Sequence, residues 1–324
     1  MDYVNLGSTG LKVSRLALGC MTFGSSDWAP WVLGEQESAK ILRQAVDLGI
    51  NFFDTADMYS LGKSEEVVGK VLFDLVPRHK LVIATKLFHP MSGDVNDRSL
   101  SRKHVFDAVD GSLKRLGADY IDLYQLHRFD YGTPLEETLD ALNDVVRAGK
   151  VRYLGASSMH AWQFMKAIGL QRQRGWAQFV SMQPHYNLIY REEEREMLPL
   201  CLSEGIGVVP WSPLARGRLA GRADGDTTRG QTDNTARALY DRSKAADDAV
   251  IAALKAVAER HGRPMAQIAY AWVAGRPVVT APIVGISKPS QFEDAIKALE
   301  IELTAEDLED LERNYLPKPI AGHV

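Results

Sequence analysis

Eight short apolar runs recur along the 324-residue chain: RLALG, INFFD, LVIATK, YIDLYQLH, VRYLGAS, FVSMQ, GVVPWS and APIVGIS. Their last residues fall near Gly19, Asp54, Lys86, His127, Ser157, Gln183, Trp211 and Gly285, spaced 26 to 41 residues apart except for a gap of 74 before the last. Between the runs the apolar period changes from strand to helix, as in Ile41, Leu42, Ala45 and Leu48, in Val105, Val109, Leu113 and Leu116, and in Leu139, Leu142 and Val146. Strands separated by helices at this pitch imply parallel βαβ units, because a parallel neighbour needs a crossover. Eight such units predict an α/β fold of the (β/α)8 TIM barrel type. Ser101 is placed to cap the helix that follows it, and Gly49, Gly117 and Gly149 stand where helices should stop.

The competing architecture, a doubly wound open sheet binding a dinucleotide, would usually carry G-x-G-x-x-G after its first strand, and neither that motif nor a Walker A sequence occurs. The expectation is one domain over residues 1–324. VNLGSTGLKVSR reads as an N-terminal hairpin closing one end of the barrel. The 74-residue gap holds 215–244, rich in Gly, Arg, Asp and Thr, which reads as one long loop that could fold over a ligand as a lid, and a helix-like stretch over about 245–261 predicts an extra helix.

Lys plus Arg total 38 against 42 Asp plus Glu, a formal charge of -4, so no broad basic field is available for nucleic acid or an anionic membrane. MDYVNLGSTG lacks a signal-peptide pattern and no apolar run reaches the ~18 residues of a membrane span, so a cytoplasmic protein without membrane partners is expected. Cys20 and Cys201 are too few for a disulfide framework and read as small packing residues. Nothing in the pattern selects an oligomeric state.

In a barrel of this kind chemistry sits at the carboxyl ends of the strands. There the second strand delivers Asp54 and, five residues on, Tyr59; the third ends in Lys86 and the fourth in His127. A nearby ammonium would favour the phenolate of Tyr59, a carboxylate would keep a buried Lys86 charged, and His127 could donate to a carbonyl oxygen or relay a proton. Taken singly, each has a plainer reading as a solvated or packed residue; the conjunction favours a site. Asp57 reads as a turn or capping residue. HRFD, residues 127 to 130, lacks the further ligands a metal would need, so no metal site is expected. A pair of sugar-cleaving carboxylates would have to face each other across ~5–10 Å, which strand ends in His and Trp do not favour.

FFDTADMYSLGKSEEVVG, LVIATK, YIDLYQLHRFD, YLGASS, FVSMQPHYN, PWSPLARG and VGISKPSQFEDA together resemble the aldo-keto reductase superfamily, in order and over almost the whole chain. The stretch from WAQFVSMQPHYN to PWSPLARGRL is most similar to the bacterial YajO-like subgroup, near the potassium-channel β-subunit-like members. The resemblance implies a TIM barrel using NADPH/NADP+ to interconvert carbonyl compounds and alcohols, with a catalytic tetrad of Asp54, Tyr59, Lys86 and His127 and Tyr59 as proton donor. It also implies cofactor contacts at Gly19, Met21 and Asp54; at Ser157, Ser158 and Gln183 for the carboxamide; at Trp211, stacked on nicotinamide; at Ser212, Pro213, Leu214, Arg216 and Arg218 for the pyrophosphate; and at Gly285, Ser287, Lys288, Gln291 and Asp294 for the adenosine phosphate. A cation and a hydroxyl there suit a 2′-phosphate and favour NADPH over NADH.

Ser158 stands where many relatives have Asn, and Asp294 with Ala295 where many have Glu and Asn, which predicts weaker cofactor binding. The other class the resemblance allows is a nicotinamide-binding regulatory subunit of a channel-like partner, against which the presence of His127 speaks. For the substrate, a small carbonyl compound or alcohol, Trp28, Trp31, Met58, Phe88 and Met159 are candidate walls of the mouth. Arg128 is a candidate either for an anionic substrate or for an ion pair with a neighbouring carboxylate.

Overall fold

The computed structural model describes residues 1–221, 228–240 and 244–323. Strands β1 (Tyr3–Asn5) and β2 (Lys12–Ser14) form an antiparallel hairpin, with Val4 opposite Val13. Eight parallel strands follow: β3 (Ala17–Gly19), β4 (Phe52–Asp54), β5 (Val82–Leu87), β6 (Ile121–Leu126), β7 (Val151–Ser157), β8 (Phe179–Gln183), β9 (Gly207–Val208) and β10 (Ile283–Gly285). They neighbour one another in chain order, and β10 returns to pair with β3. Closure is completed where Thr280 N donates to Val208 O at 2.8 Å and Ile283 N to Pro210 O at 2.9 Å. The result is the expected (β/α)8 barrel with its N-terminal hairpin.

Strand alternation sends one set of side chains inward and the other out beneath the helices. The inward set, Ala17, Phe52, Val82, Ala84, Leu123, Val209, Ala281 and Ile283, fills the lower barrel, and Leu6 and Val13 of the hairpin plug it from below. Gly7 lets the hairpin seat: it has φ +58, and a Cβ there would stand 2.6 Å from both Gly205 O and Gly207 N. Outward residues such as Phe53, Ile83 and Tyr124 pack under helices including Lys63–Leu75, Arg102–Leu116 and Leu135–Arg147. The second of these starts as expected, its His104 N donating to the Ser101 hydroxyl at 3.3 Å, and ends at Gly117 in the left-handed conformation.

Three details differ from the sequence expectation. The seventh strand ends at Val208 rather than near Trp211, because Pro210 has no N–H to continue the ladder; Trp211 is held by an isolated bridge to His185. The fourth ends at Leu126, one residue before His127. The stretch 215–244 is not one long loop: it carries a 3-10 turn, Ala215–Ala220, and short helices at Thr228–Thr232 and Asn234–Tyr240, while 222–227 and 241–243 of that expected loop lie outside the described residues. These helices are held by contacts distant in sequence rather than by an apolar stripe, so periodicity did not reveal them. The added helix is present as Lys244–His261. No helix among the described residues is long and apolar enough to cross a membrane.

Candidate active site

Alternation along β4, β5 and β6 turns Asp54, Lys86 and Gln125 into the barrel above the apolar filling. Lys86 is 0% exposed, and its Nζ donates to Asp54 Oδ1 at 2.6 Å, to Thr55 O at 2.7 Å and to the Tyr59 hydroxyl at 3.4 Å. Asp54 Oδ2 accepts from Gln125 Nε2 at 3.0 Å and from Gln183 Nε2 at 2.8 Å, so both carboxylate oxygens are occupied. Removing one member of such a buried pair costs about 3–5 kcal/mol, because the other charge is left uncompensated.

Tyr59 reaches this lysine from the loop after β4, through a turn in which Ser60 and Leu61 both take φ +50. Its ring meets His127 edge to face, centroids 5.8 Å apart, and His127 in turn meets His89 at 4.8 Å. The structure therefore brings Asp54, Lys86, Tyr59 and His127 together from three strand ends.

The electrostatics follow from burial. Burial works to lower the Lys86 ammonium, but the Asp54 carboxylate and the Tyr59 oxygen outweigh it and hold it above its ordinary value. Tyr59 is raised, with burial the largest cause and Lys86 pulling the other way. Lys86 thus favours the phenolate as expected, but burial outweighs it, and the phenol keeps its proton at neutral pH. Burial, reinforced by Arg128, Lys86 and His89, pushes His127 well below its ordinary value, so the imidazole is neutral, and its buried Nδ1 has no partner.

Asp57 is not a simple turn residue. It is 0% exposed, its Oδ1 accepts from Met58 N at 2.6 Å, and its Oδ2 has no partner. Burial, then the nearby Glu65, raise its carboxyl well above the usual range. Asp54 answers to Lys86 and Asp57 to Glu65 and Arg115, so the two carboxylates do not form a facing pair. Among the described residues there is no cluster of metal-binding side chains. Cys20 and Cys201 are buried and free, and burial pushes both thiols up.

Around the tetrad stand Ser157, Ser158, Gln183 and Trp211. The Ser157 hydroxyl donates to Gln183 O at 2.8 Å, and the Trp211 indole N–H donates to the Ser158 hydroxyl at 3.0 Å. Trp211 is stacked on His185, centroids 4.2 Å apart, and His185 on Tyr190 at 4.2 Å, while His185 Nε2 meets the Tyr240 hydroxyl at 2.6 Å. In the loop after β9, Leu214 (φ -98, ψ 15) is followed by Ala215 (φ 46) and Arg216 (φ 57), with Ser212 also left-handed (φ 56). A right-handed residue followed by left-handed ones is the backbone pattern found in anion-binding concavities, with Ala215 N here donating to Ser212 O at 2.9 Å. Pro213 is buried within this loop; Arg216 pairs with Asp233, and the Arg218 guanidinium lies over the Tyr240 ring at 5.3 Å.

Beyond β10, across the barrel closure, Gly285 opens to free space, Lys288 is exposed, and Gln291 Oε1 accepts from Ser287 N at 2.8 Å and Lys288 N at 3.0 Å. Asp294 accepts from Gln267 Nε2 at 3.0 Å. Gly19 is buried within β3 beside Asp54, and Met21 is half-buried just above it. Of the expected walls, Trp28, Trp31, Met58 and Phe88 are half-buried, whereas Met159 is buried.

Two residues that sequence reasoning missed contribute to this arrangement. Gln125 shares an inward face with Leu123 and His127, and a polar residue inside an apolar strand run was the available signal. His185, in QPHYN, gave no periodic signal, and its stacking depends on Trp211, which lies 26 residues further on.

Residues 15–315 match the model of the Aldo/keto reductase family. Among similar proteins, a versiconal hemiacetal acetate reductase of Aspergillus parasiticus is 45% identical over 99% of this chain and 98% of its own length. A Schizosaccharomyces pombe protein bearing an aryl-alcohol dehydrogenase name is 44% identical over 99% of this chain and 98% of its own. An aldo-keto reductase of Alternaria alternata is 41% identical over 99% and 93%. These relatives are fungal and support the superfamily; they lend no support to the bacterial YajO-like placement.

Proposed function

Because the chain belongs to the aldo/keto reductase family, we propose that it reduces aldehydes or ketones to alcohols with NADPH, reversibly, and that Tyr59 is the proton donor. The observation that carries this reading is Lys86, wholly buried, donating to both Asp54 and Tyr59 beside a neutral His127. On this reading residues 1–324 act as one catalytic domain, with 215–244 on the cofactor side.

The residues present fit a dinucleotide phosphate. The concavity at Leu214–Ala215 suits a pyrophosphate, with Ser212, Pro213, Arg216 and Arg218 around it, and the space above Gly285 with Ser287, Lys288, Gln291 and Asp294 suits the adenosine end, where Lys288 and the Ser287 hydroxyl favour a 2′-phosphate. Ser157, Ser158 and Gln183 would meet the carboxamide and Trp211 the ring, with Gly19, Met21 and Asp54 nearby. When bound, NADPH supplies a hydride to the carbonyl carbon.

The chain's own residues then handle the oxygen. Tyr59, protonated at neutral pH, gives its proton to the oxygen as negative charge grows there. Lys86 stabilises the phenolate left behind, and Asp54 keeps Lys86 charged and aimed through the 2.6 Å pair. A neutral His127 can donate one N–H to the same oxygen and so orient the carbonyl. The test is NADPH and NADH consumption with a panel of aldehydes, for the parent and for Tyr59→Phe. General acid catalysis is worth about 10²–10⁴-fold, so kcat should fall by that much; equal turnover in the variant would remove Tyr59 from its role.

A further inference from the structure

Arg128 follows His127 on the loop leaving β6, and its environment is unlike that of other half-buried arginines here. Arg78 pairs with Asp122, Arg115 with Glu65 and Arg191 with Glu194 and Glu312, while Arg15 donates to three backbone carbonyls. Among the described residues Arg128 has only its own neighbour as a hydrogen-bond partner: Nη1 donates to His127 O at 2.5 Å, and Nε is buried without an acceptor. Among the described residues no carboxylate forms an ion pair with it, which leaves its Nε–Nη2 edge unused. That edge is the part of a guanidinium that matches a carboxylate with two parallel hydrogen bonds.

Its position points the same way. The charge of Arg128 acts on Tyr59, His89, His127 and His185, groups delivered from the ends of β4, β5, β6 and β8. A guanidinium felt from four strand ends lies in the mouth rather than on the outer surface. Burial pushes His89 down to about 4 and His127 lower than its ordinary value, so at neutral pH neither ring adds a competing cation. Of the other cations near Tyr59, Lys86 is paired with Asp54, and Arg229 is paired with Asp233 and laid over the Trp31 ring at 4.5 Å.

We propose that Arg128 recognises a carboxylate on the substrate, so that the carbonyl compounds this protein prefers are anionic ones, bound by the Arg128 fork while the carbonyl oxygen lies at Tyr59 and His127. This inference rests on the carbonyl reduction proposed above. It follows from the charge inventory: a half-buried cation that no described carboxylate balances is costly, and a bound carboxylate supplies the missing partner.

The experiment uses pairs of aldehydes that differ only as free carboxylate or methyl ester, with the acid group set two methylenes from the carbonyl or across a benzene ring. For at least one spacer the parent protein should favour the carboxylate in kcat/KM by about tenfold or more, mainly through KM. Arg128→Met should abolish that preference while leaving the ester within about threefold, and Arg128→Lys should keep part of it. Calorimetry with the matching hydroxy-carboxylate and its ester reads the preference without turnover. No preference for either carboxylate in the parent would overturn the proposal. An equal loss on acid and ester would make Arg128 a structural residue, and a change confined to NADPH affinity would assign it to the cofactor; both results overturn the proposal too. If neither aldehyde is reduced but calorimetry shows the anion preference, the proposed activity fails and the anion site stands.

Discussion

At the floor of the barrel the inward side chains are Ala17, Phe52, Val82, Leu123 and Ile283, sealed by Leu6 and Val13, whereas at the mouth the buried inward groups are Asp54, Lys86, Gln125, Gln183 and His127. The backbone divides in the same way. In the turns that follow helices on the floor side, left-handed positions are glycines: Gly49, Gly117, Gly149, Gly175 and Gly205. In the loops after the strands, Ser60, Leu61, Phe88, Ser99, Ser158, Ser212, Ala215 and Arg216 hold positive φ despite their Cβ atoms. Each such residue costs on the order of 1–3 kcal/mol and persists only where its surroundings hold it. One end of the barrel is packed with apolar side chains and glycine turns, and the other holds the buried charge and the strained backbone.

Changes at the two ends should therefore separate activity from stability. The largest effect belongs to the mouth: Tyr59→Phe, with its loss of about 10²–10⁴-fold in kcat, should leave the urea unfolding midpoint close to the parent's. At the floor Phe52→Ala, which opens a cavity, should cost about 3–5 kcal/mol by urea unfolding while the folded protein keeps its kcat. A shared loss of both properties in either variant would break the division.

A smaller effect comes from pH. His127 and His185 are held well below the ordinary value of 6.5 by burial. The unfolded chain takes up protons below about pH 6.5 that the folded protein refuses, so their contribution is complete above that pH and is lost as pH falls below it, at up to about 1.4 kcal/mol per pH unit for each ring. Urea midpoints that stay flat between pH 7 and 5 would argue against two neutral buried imidazoles.

The smallest effect concerns Asp57, whose raised carboxyl acts in the opposite sense. Its contribution is complete below its ordinary value of 3.8 and is lost as pH rises through the folded-state value. Asp57→Asn cannot ionise and keeps an acceptor for Met58 N. It should match the parent near pH 4 and be the more stable of the two near pH 8. A variant less stable than the parent at the higher pH would show that the ionised carboxylate has a partner.

Much of this was legible because period and position carry it. Strand and helix spacing gave the eight units, Ser101 and Gly117 marked a helix's ends, and residues at strand ends gave Asp54, Lys86 and His127. Other features had no local signal. Nothing near Tyr59 says that burial would outweigh Lys86 and raise the phenol, since that balance depends on how many atoms close over it. The helices within 215–244 rest on distant partners: Tyr240 meets His185, and Asp233 gathers Arg216 and Arg229.

The sequence by itself determined the barrel, its polarity and the chemical types gathered at its mouth, because alternation and crossover geometry are local rules that each strand obeys alone. The tertiary structure decided which of those groups are charged, paired or left without a partner. Asp54 and Asp57 are three residues apart, yet one is held by a lysine and two glutamines and the other is buried under the influence of Glu65; among the described residues no carboxylate pairs with Arg128. Ionisation and pairing depend on desolvation and on neighbours brought from other strands, which the order of residues does not contain.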